Sequence, residues 1–83
     1  MKVNIKYFAS IREALGQGSE LFDTQARTLG GLRDELIARG GAYAHSLARE
    51  RAVRVALNQV MSQESAELSE NSEVAFFPPV TGG

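Results

Sequence analysis

The sequence predicts an α+β domain in which a mixed sheet packs against one main helix, with short accessory helices beside it. Three observations carry this: an N-terminal segment that alternates apolar and polar residues, a central segment with leucines at helical spacing, and an apolar C-terminal run closed by two prolines. A chain of 83 residues suits one compact domain with one core. We place that domain at residues 1–79 and a C-terminal Gly-Gly tail at residues 80–83.

In the first segment Val3, Ile5 and Tyr7 share one face of a strand, and Lys2, Asn4, Lys6 and Phe8 share the other. Ala9 to Leu15 carries Ile11 and Leu15 four apart and stops at Gly16, which predicts a short helix. A second strand follows over Ser19–Phe22. The main helix is predicted over Thr28–Arg39, with Leu29, Leu32, Leu36 and Ile37 on its apolar side, Thr28 as N-cap and Gly40-Gly41 as the stop. Gly30-Gly31 weakens its first turn, at about 1 kcal/mol each relative to Ala. Ala42–Glu50 suits another short helix. Val53–Leu57 alternates as a strand with Val53, Val55 and Leu57 inward, and Val60 and Met61 begin a short further one. The last strand, Val74–Phe77, follows the turn-like Glu70-Asn71-Ser72-Glu73 and ends at Pro78-Pro79.

Composition narrows the chemistry. Ten acidic against nine basic residues give a net charge of −1, so no global field favours nucleic acid or an anionic membrane. The chain has no cysteine, hence no disulfide, thiolate metal site or cysteine nucleophile, and any sulfur chemistry must use imported sulfur. The alternating N-terminus lacks the continuous apolar stretch of a signal peptide or membrane span, and a cytoplasmic location is expected.

The internal motifs carry little catalytic promise. His45 is the one histidine, so neither a Ser/His/Asp triad nor a histidine-rich metal site assembles, and we read it as structural or exposed. Glu64, Glu67, Glu70 and Glu73 fall three apart, a run read as a solvated face. The glycine pairs lack the spacing of a phosphate-binding loop, and no bound cofactor is expected.

The C-terminus differs. With glycine at about 7% of residues, two at a chain end arise by chance in roughly one sequence in 200. Here they follow a buried strand, two stiff prolines and Val80-Thr81, and the last four residues reach roughly 13 Å when extended. A terminal carboxylate flanked by residues without side chains fits a narrow channel and serves as a substrate for another enzyme. The alternative is a functionless frayed end.

Strand parity adds a candidate docking surface. Phe76 and Phe77 must face opposite ways; with Val74 and Phe76 inward, Phe77 joins Phe8 on the open face beside the tail, with Arg12 and Met61 near the edge of the patch. The alternative places Phe8 and Phe77 under the helices as core.

The ending Glu73-Val74-Ala75-Phe76-Phe77-Pro78-Pro79-Val80-Thr81-Gly82-Gly83, with Lys6-Tyr7-Phe8-Ala9, Ile11-Arg12-Glu13 and Ala56-Leu57-Asn58-Gln59, resembles the molybdopterin synthase small-subunit family over essentially the whole chain. That resemblance implies a ubiquitin-like β-grasp fold and a sulfur carrier of molybdenum cofactor biosynthesis. It implies that a separate activating enzyme adenylates the Gly83 carboxylate at the expense of ATP, and that a sulfur-donor protein converts it to a thiocarboxylate, a C-terminal 1-thioglycine. Thr81, Gly82 and Gly83 would then enter the large subunit of a heterotetramer, which carries the catalytic residues, and pass sulfur to cyclic pyranopterin monophosphate. Phe8, Arg12, Met61 and Phe77 would form the interface. Asn71-Ser72 stands where the family commonly has a Gly-containing turn, a position Asn tolerates. Two other readings share the tail: a sulfur carrier for thiazole or thio-amino-acid synthesis, and a ubiquitin-like modifier joined to lysines. A third is a plain binding domain.

Overall fold

The computed structural model describes residues 1–79. Five strands and three helices follow one another as β1 Lys2–Tyr7, α1 Ala9–Leu15, β2 Ser19–Asp23, α2 Leu29–Ile37, α3 Gly41–Ser46, β3 Arg54–Leu57, β4 Val60–Ser62 and β5 Glu73–Phe77. The strands form one mixed sheet in the order β2-β1-β5-β3-β4. β1 and β5 run parallel, and every other pair is antiparallel.

The alternation of β1 translates directly into burial, because Val3, Ile5 and Tyr7 are sealed while Lys2, Asn4 and Lys6 are exposed. Across the inner face lies α2, whose Leu29, Leu32 and Leu36 are fully buried against Val3, Ile5, Val55, Val74 and Phe76. Leu47 after α3 and Leu68 before β5 close the core.

The α2 boundaries are tighter than the sequence suggests. Thr28 is the N-cap, its Oγ1 accepting from the Gly31 amide at 3.1 Å. At the other end the amides of Arg39 and Gly40 reach back only three residues, to Leu36 and Ile37, a closing turn that precedes Gly40 at φ 76. The short third helix ends at Ser46, four residues before the expected Glu50.

Gly30-Gly31 has a packing role. The amides of Leu29 and Gly30 donate to the carbonyls of Ala66 and Glu64 at 3.0 and 2.9 Å, which satisfies groups a helix start leaves unpaired. That contact brings the backbones so close that a Cβ on Gly30 would meet Glu64 at 3.1–3.3 Å, its carbonyl oxygen included. Glycine lets α2 dock on the 64–66 segment.

The glutamates spaced three apart do not form one solvated face, because their segment is not helical. Glu64 accepts from Arg33 at 2.7 Å and also pairs with Arg49. Glu70 accepts from the Lys2 amide at 2.7 Å, and Glu73 pairs with Lys6. Arg33, on α2, is almost completely buried, and it also donates to the carbonyls of Leu47, Ala48 and Arg51 at 2.8, 2.6 and 3.0 Å. One guanidinium therefore fixes the loop between α3 and β3 against α2.

A second network centres on Glu20 of β2, which accepts from the hydroxyls of Tyr7 and Tyr43 at 2.7 and 2.9 Å and from Arg39 at 3.0 Å. Burial pushes the Glu20 carboxyl up, but the bonds from Tyr7, Arg39 and Tyr43 outweigh it and hold the group below its ordinary 4.5. Glu64 is likewise pushed up by burial and held down by Arg49 and Arg33. A carboxyl depressed in the folded state stabilises it above the unfolded value and loses that contribution as pH falls through the folded value. Urea unfolding from pH 7 to 3 should therefore show stability declining below about pH 4.5, with a shallower decline in Glu20→Gln. Parallel declines in the two proteins would show that Glu20 is not part of the acid response.

Candidate functional site

The site is the end of β5 and the open sheet face around it. β5 lies between β1 and β3, so the chain leaves the sheet from its middle. Val74 and Phe76 are fully buried beneath α2, which turns Phe77 to the opposite face. The parallel register sets Tyr7 level with Phe76, and the next step along both strands sets Phe8 beside Phe77. Inside, the Tyr7 and Phe76 rings stack at 6.1 Å; outside, those of Phe8 and Phe77 stack at 4.7 Å and 10°. Two aromatic pairs thus sit back to back through the sheet.

Phe8 continues the extended backbone of β1 and is also the N-cap residue of α1. Its amide donates to the Phe76 carbonyl at 3.2 Å, and its own carbonyl accepts from Ile11 and Arg12 at 3.2 and 3.3 Å. These bonds hold the ring in place while 39% of the residue stays exposed. Phe8 and Phe77 therefore do not pack under the helices.

Arg12, one helical turn on, is exposed and leans over Gly18, where a Cβ would come within 3.1 Å of its Nε. Met61 is 56% exposed on the edge strand β4. It pairs with Ala56, which pairs with Ala75, so all three share the face that carries Phe77. The structure thus brings Phe8 and Phe77 into contact, with Arg12 on the β2 side and Met61 across β3. The two alanines form a low floor between Phe77 and Met61; their alternation with Val55, Leu57, Val74 and Phe76 was the signal for it. Arg54, which pairs with Phe77, is a further member of this face.

On the other side of the chain exit, Pro78 and Pro79 line a groove of about 300 Å³ with Ile11 and Ala14 of α1 and His45 of α3. His45 is exposed, its Nε2 3.0 Å from Arg51 Nη2, and no metal-binding cluster exists among the described residues. Thr81, Gly82 and Gly83 lie outside the described residues. The Tyr7 hydroxyl is pushed well above the ordinary phenol range by burial and by Glu20, so it stays protonated and offers no base. No helix among the described residues is long and apolar enough to cross a membrane. The arrangement presents a chain end from a stiff base beside an apolar face.

A model of the ThiS family matches residues 5–83. The chain belongs to the ThiS family. It is 32% identical over 81 residues to the molybdopterin synthase sulfur carrier subunit of Haemophilus influenzae, covering 98% of this chain and 99% of that protein. With the subunit of the same name from Mycobacterium tuberculosis it shares 35% identity over 85 residues, 100% of this chain and 99% of the other. Among solved structures, a putative molybdopterin converting factor subunit 1 from Pyrococcus furiosus is 28% identical and superposes with a TM-score of 0.76 over 96% of this chain and 99% of that one. The sheet order with α2 across one face is the ubiquitin-like β-grasp that the resemblance implied.

In this ThiS-family chain the neighbouring phenylalanines play opposite parts, which stability measurements can separate. Phe76→Ala should cost about 3–5 kcal/mol, the range for a fully buried Phe, and the half-buried Phe77→Ala only about 1–2 kcal/mol. Equal losses in urea unfolding would place Phe77 in the core and remove it from the open face.

Proposed function

We propose that this chain is the sulfur carrier of molybdenum cofactor biosynthesis, delivering sulfur from its own C-terminus. The observation that carries the reading is end-to-end similarity, at 32–35% identity, to proteins named molybdopterin synthase sulfur carrier subunit, in a chain that ends Gly82-Gly83.

A carboxylate is a poor electrophile until one oxygen becomes a good leaving group. In this reading a separate activating enzyme joins the Gly83 carboxylate to the α-phosphate of ATP and releases pyrophosphate. The terminal sulfur of a persulfide on a sulfur-donor protein then attacks the acyl carbon and AMP departs with the electron pair of the broken C–O bond; a thiol reductant cleaves the S–S bond of the resulting acyl disulfide, which frees the donor and leaves Gly83 as the thiocarboxylate. Thr81, Gly82 and Gly83 enter the active site of the large subunit, where the thiocarboxylate sulfur is transferred to cyclic pyranopterin monophosphate. The residues doing the chemistry belong to the partners.

This chain contributes position. Because β5 is hydrogen-bonded on both sides and followed by two prolines, the chain leaves the sheet from a fixed point. The Phe8–Phe77 stack, Met61 and Arg12 surround that point and form the docking surface for the large subunit. Apolar and aromatic groups of this kind are what a partner buries at the centre of an interface. We place the reaction in the cytoplasm.

The test is mass spectrometry of the intact chain and its C-terminal fragments after incubation with the activating enzyme, ATP and a sulfur donor. Sulfur in place of oxygen at Gly83 is expected. Fragmentation is required because oxidation of Met1 or Met61 changes the mass almost identically. An unmodified Gly83, in a mixture that converts a known carrier, would contradict the proposal.

A further inference from the structure

We propose that Arg54 is a specificity residue of the docking face, where it receives a carboxylate of the large subunit at the rim of the pocket that takes Phe77. The inference rests on the carrier reading, which supplies that partner.

Strand parity fixes the position. Arg54 opens β3 and is level with Phe77, while its neighbour Val55 is buried and level with Phe76. Arg54 therefore projects from the open face. Phe8, Phe77 and Arg54 form one row across β1, β5 and β3, at the end of the sheet from which the chain leaves. On its other side Arg54 borders a shallow depression of about 400 Å³ that Met61, Ser62 and Gln63 also line.

The charge of Arg54 is unused within the domain. Of the seven arginines, Arg33 and Arg49 bond Glu64, Arg39 bonds Glu20, and Arg51 contacts His45. Among the described residues no carboxylate lies within ion-pair distance of Arg12, Arg27 or Arg54. Arg27 belongs to the segment leading into α2. The other two stand on opposite sides of the Phe8–Phe77 stack, Arg12 toward β2 and Arg54 on β3.

The acidic groups nearby do not compensate them. Asp23 and Glu73 sit at the opposite end of the open face, level with Lys2 and Asn4, and pair with the N-terminal amine and Lys6. Glu64 borders the depression with its two oxygens engaged by Arg33 and Arg49. Glu13 follows Arg12 but is turned about 100° round α1. A chain of net charge −1 thus carries two unpaired guanidiniums around its exposed aromatic pair.

That arrangement defines the partner's chemistry. A purely apolar surface would bury Phe8 and Phe77 but strip water from a guanidinium without replacing its hydrogen bonds, and a basic surface would be repelled. A polyanion needs a run of cations, whereas the groups beside Arg54 are Phe77, Ala56 and Met61. A carboxylate offers two acceptors to the planar guanidinium fork. The complementary surface is an apolar pocket with a carboxylate at its β3 side, and the charge pair there speeds encounter and rejects surfaces lacking the acid.

The experiment measures association of the full chain with the large subunit at low salt and at about 1 M salt, where charges are screened within about 3 Å. Arg54→Glu should weaken binding about tenfold at low salt, mainly through the on-rate, and less than about twofold at high salt. Arg54→Leu, which keeps an apolar stem, should weaken it about threefold at low salt. In Arg54→Lys a carbodiimide should join the side chain at this position to a carboxylate of the large subunit, located by fragmentation. Unchanged affinity in Arg54→Glu, or no such cross-link in Arg54→Lys, would overturn the inference, and weaker binding by Phe77→Ala in the same assay would leave the docking face standing. No binding by the unaltered chain would overturn the carrier reading as well.

Discussion

The parallel pairing of β1 with β5 is the constraint on which the rest of the structure depends. It joins the first and last strands, puts β5 in the centre of the sheet, and sets Tyr7 level with Phe76. From that register follow the inner stack of Tyr7 on Phe76 and the outer stack of Phe8 on Phe77. A slip of one residue would exchange the two faces, burying Phe77 and exposing Phe76. Core stability and the open aromatic face thus depend on the same ladder of hydrogen bonds. The site is an extension of the core through the sheet.

Around that pair, polar networks fix the irregular segments that hydrophobic contact alone leaves free. Arg33 reaches three carbonyls between α3 and β3 as well as Glu64, and removing it would strand those groups at a buried position. The Glu20 network ties β1, β2 and the region around α3 together through Tyr7, Arg39 and Tyr43. The base from which the chain exits is therefore braced at both sides.

Much of this was legible from residue patterns, because strands and helices impose periods of two and about 3.6 on burial. Val3, Ile5 and Tyr7, the leucines of α2, and the inward Phe76 with outward Phe77 all followed from that rule; the left-handed Asn71 at φ 66 followed instead from the tolerance of Asn for that conformation in a turn. The glutamates from Glu64 to Glu73 did not, since a spacing of three describes one face only where the backbone is helical. Gly30 read as a weakness because propensity ignores what lies opposite, and the partner was Glu64, more than thirty positions away. Arg33 gave no local signal, as its carbonyl partners belong to a loop whose position is set by the tertiary fold. The open face was half legible: Phe8, Arg12, Met61 and Phe77 were found by parity and resemblance, whereas Ala56, Ala75 and Arg54 become visible once the strand order is known.

In the carrier reading the domain is a scaffold and the last residues are its working part. Deleting Gly82 and Gly83 tests that division most directly. Cofactor synthesis would be reconstituted with the large subunit, the activating enzyme, ATP and a sulfur donor, using either the full chain or the shortened one, with folding checked by urea unfolding. Equal stability and no molybdopterin are expected from the shortened chain. Molybdopterin formed at a comparable rate without the two glycines would contradict the carrier reading.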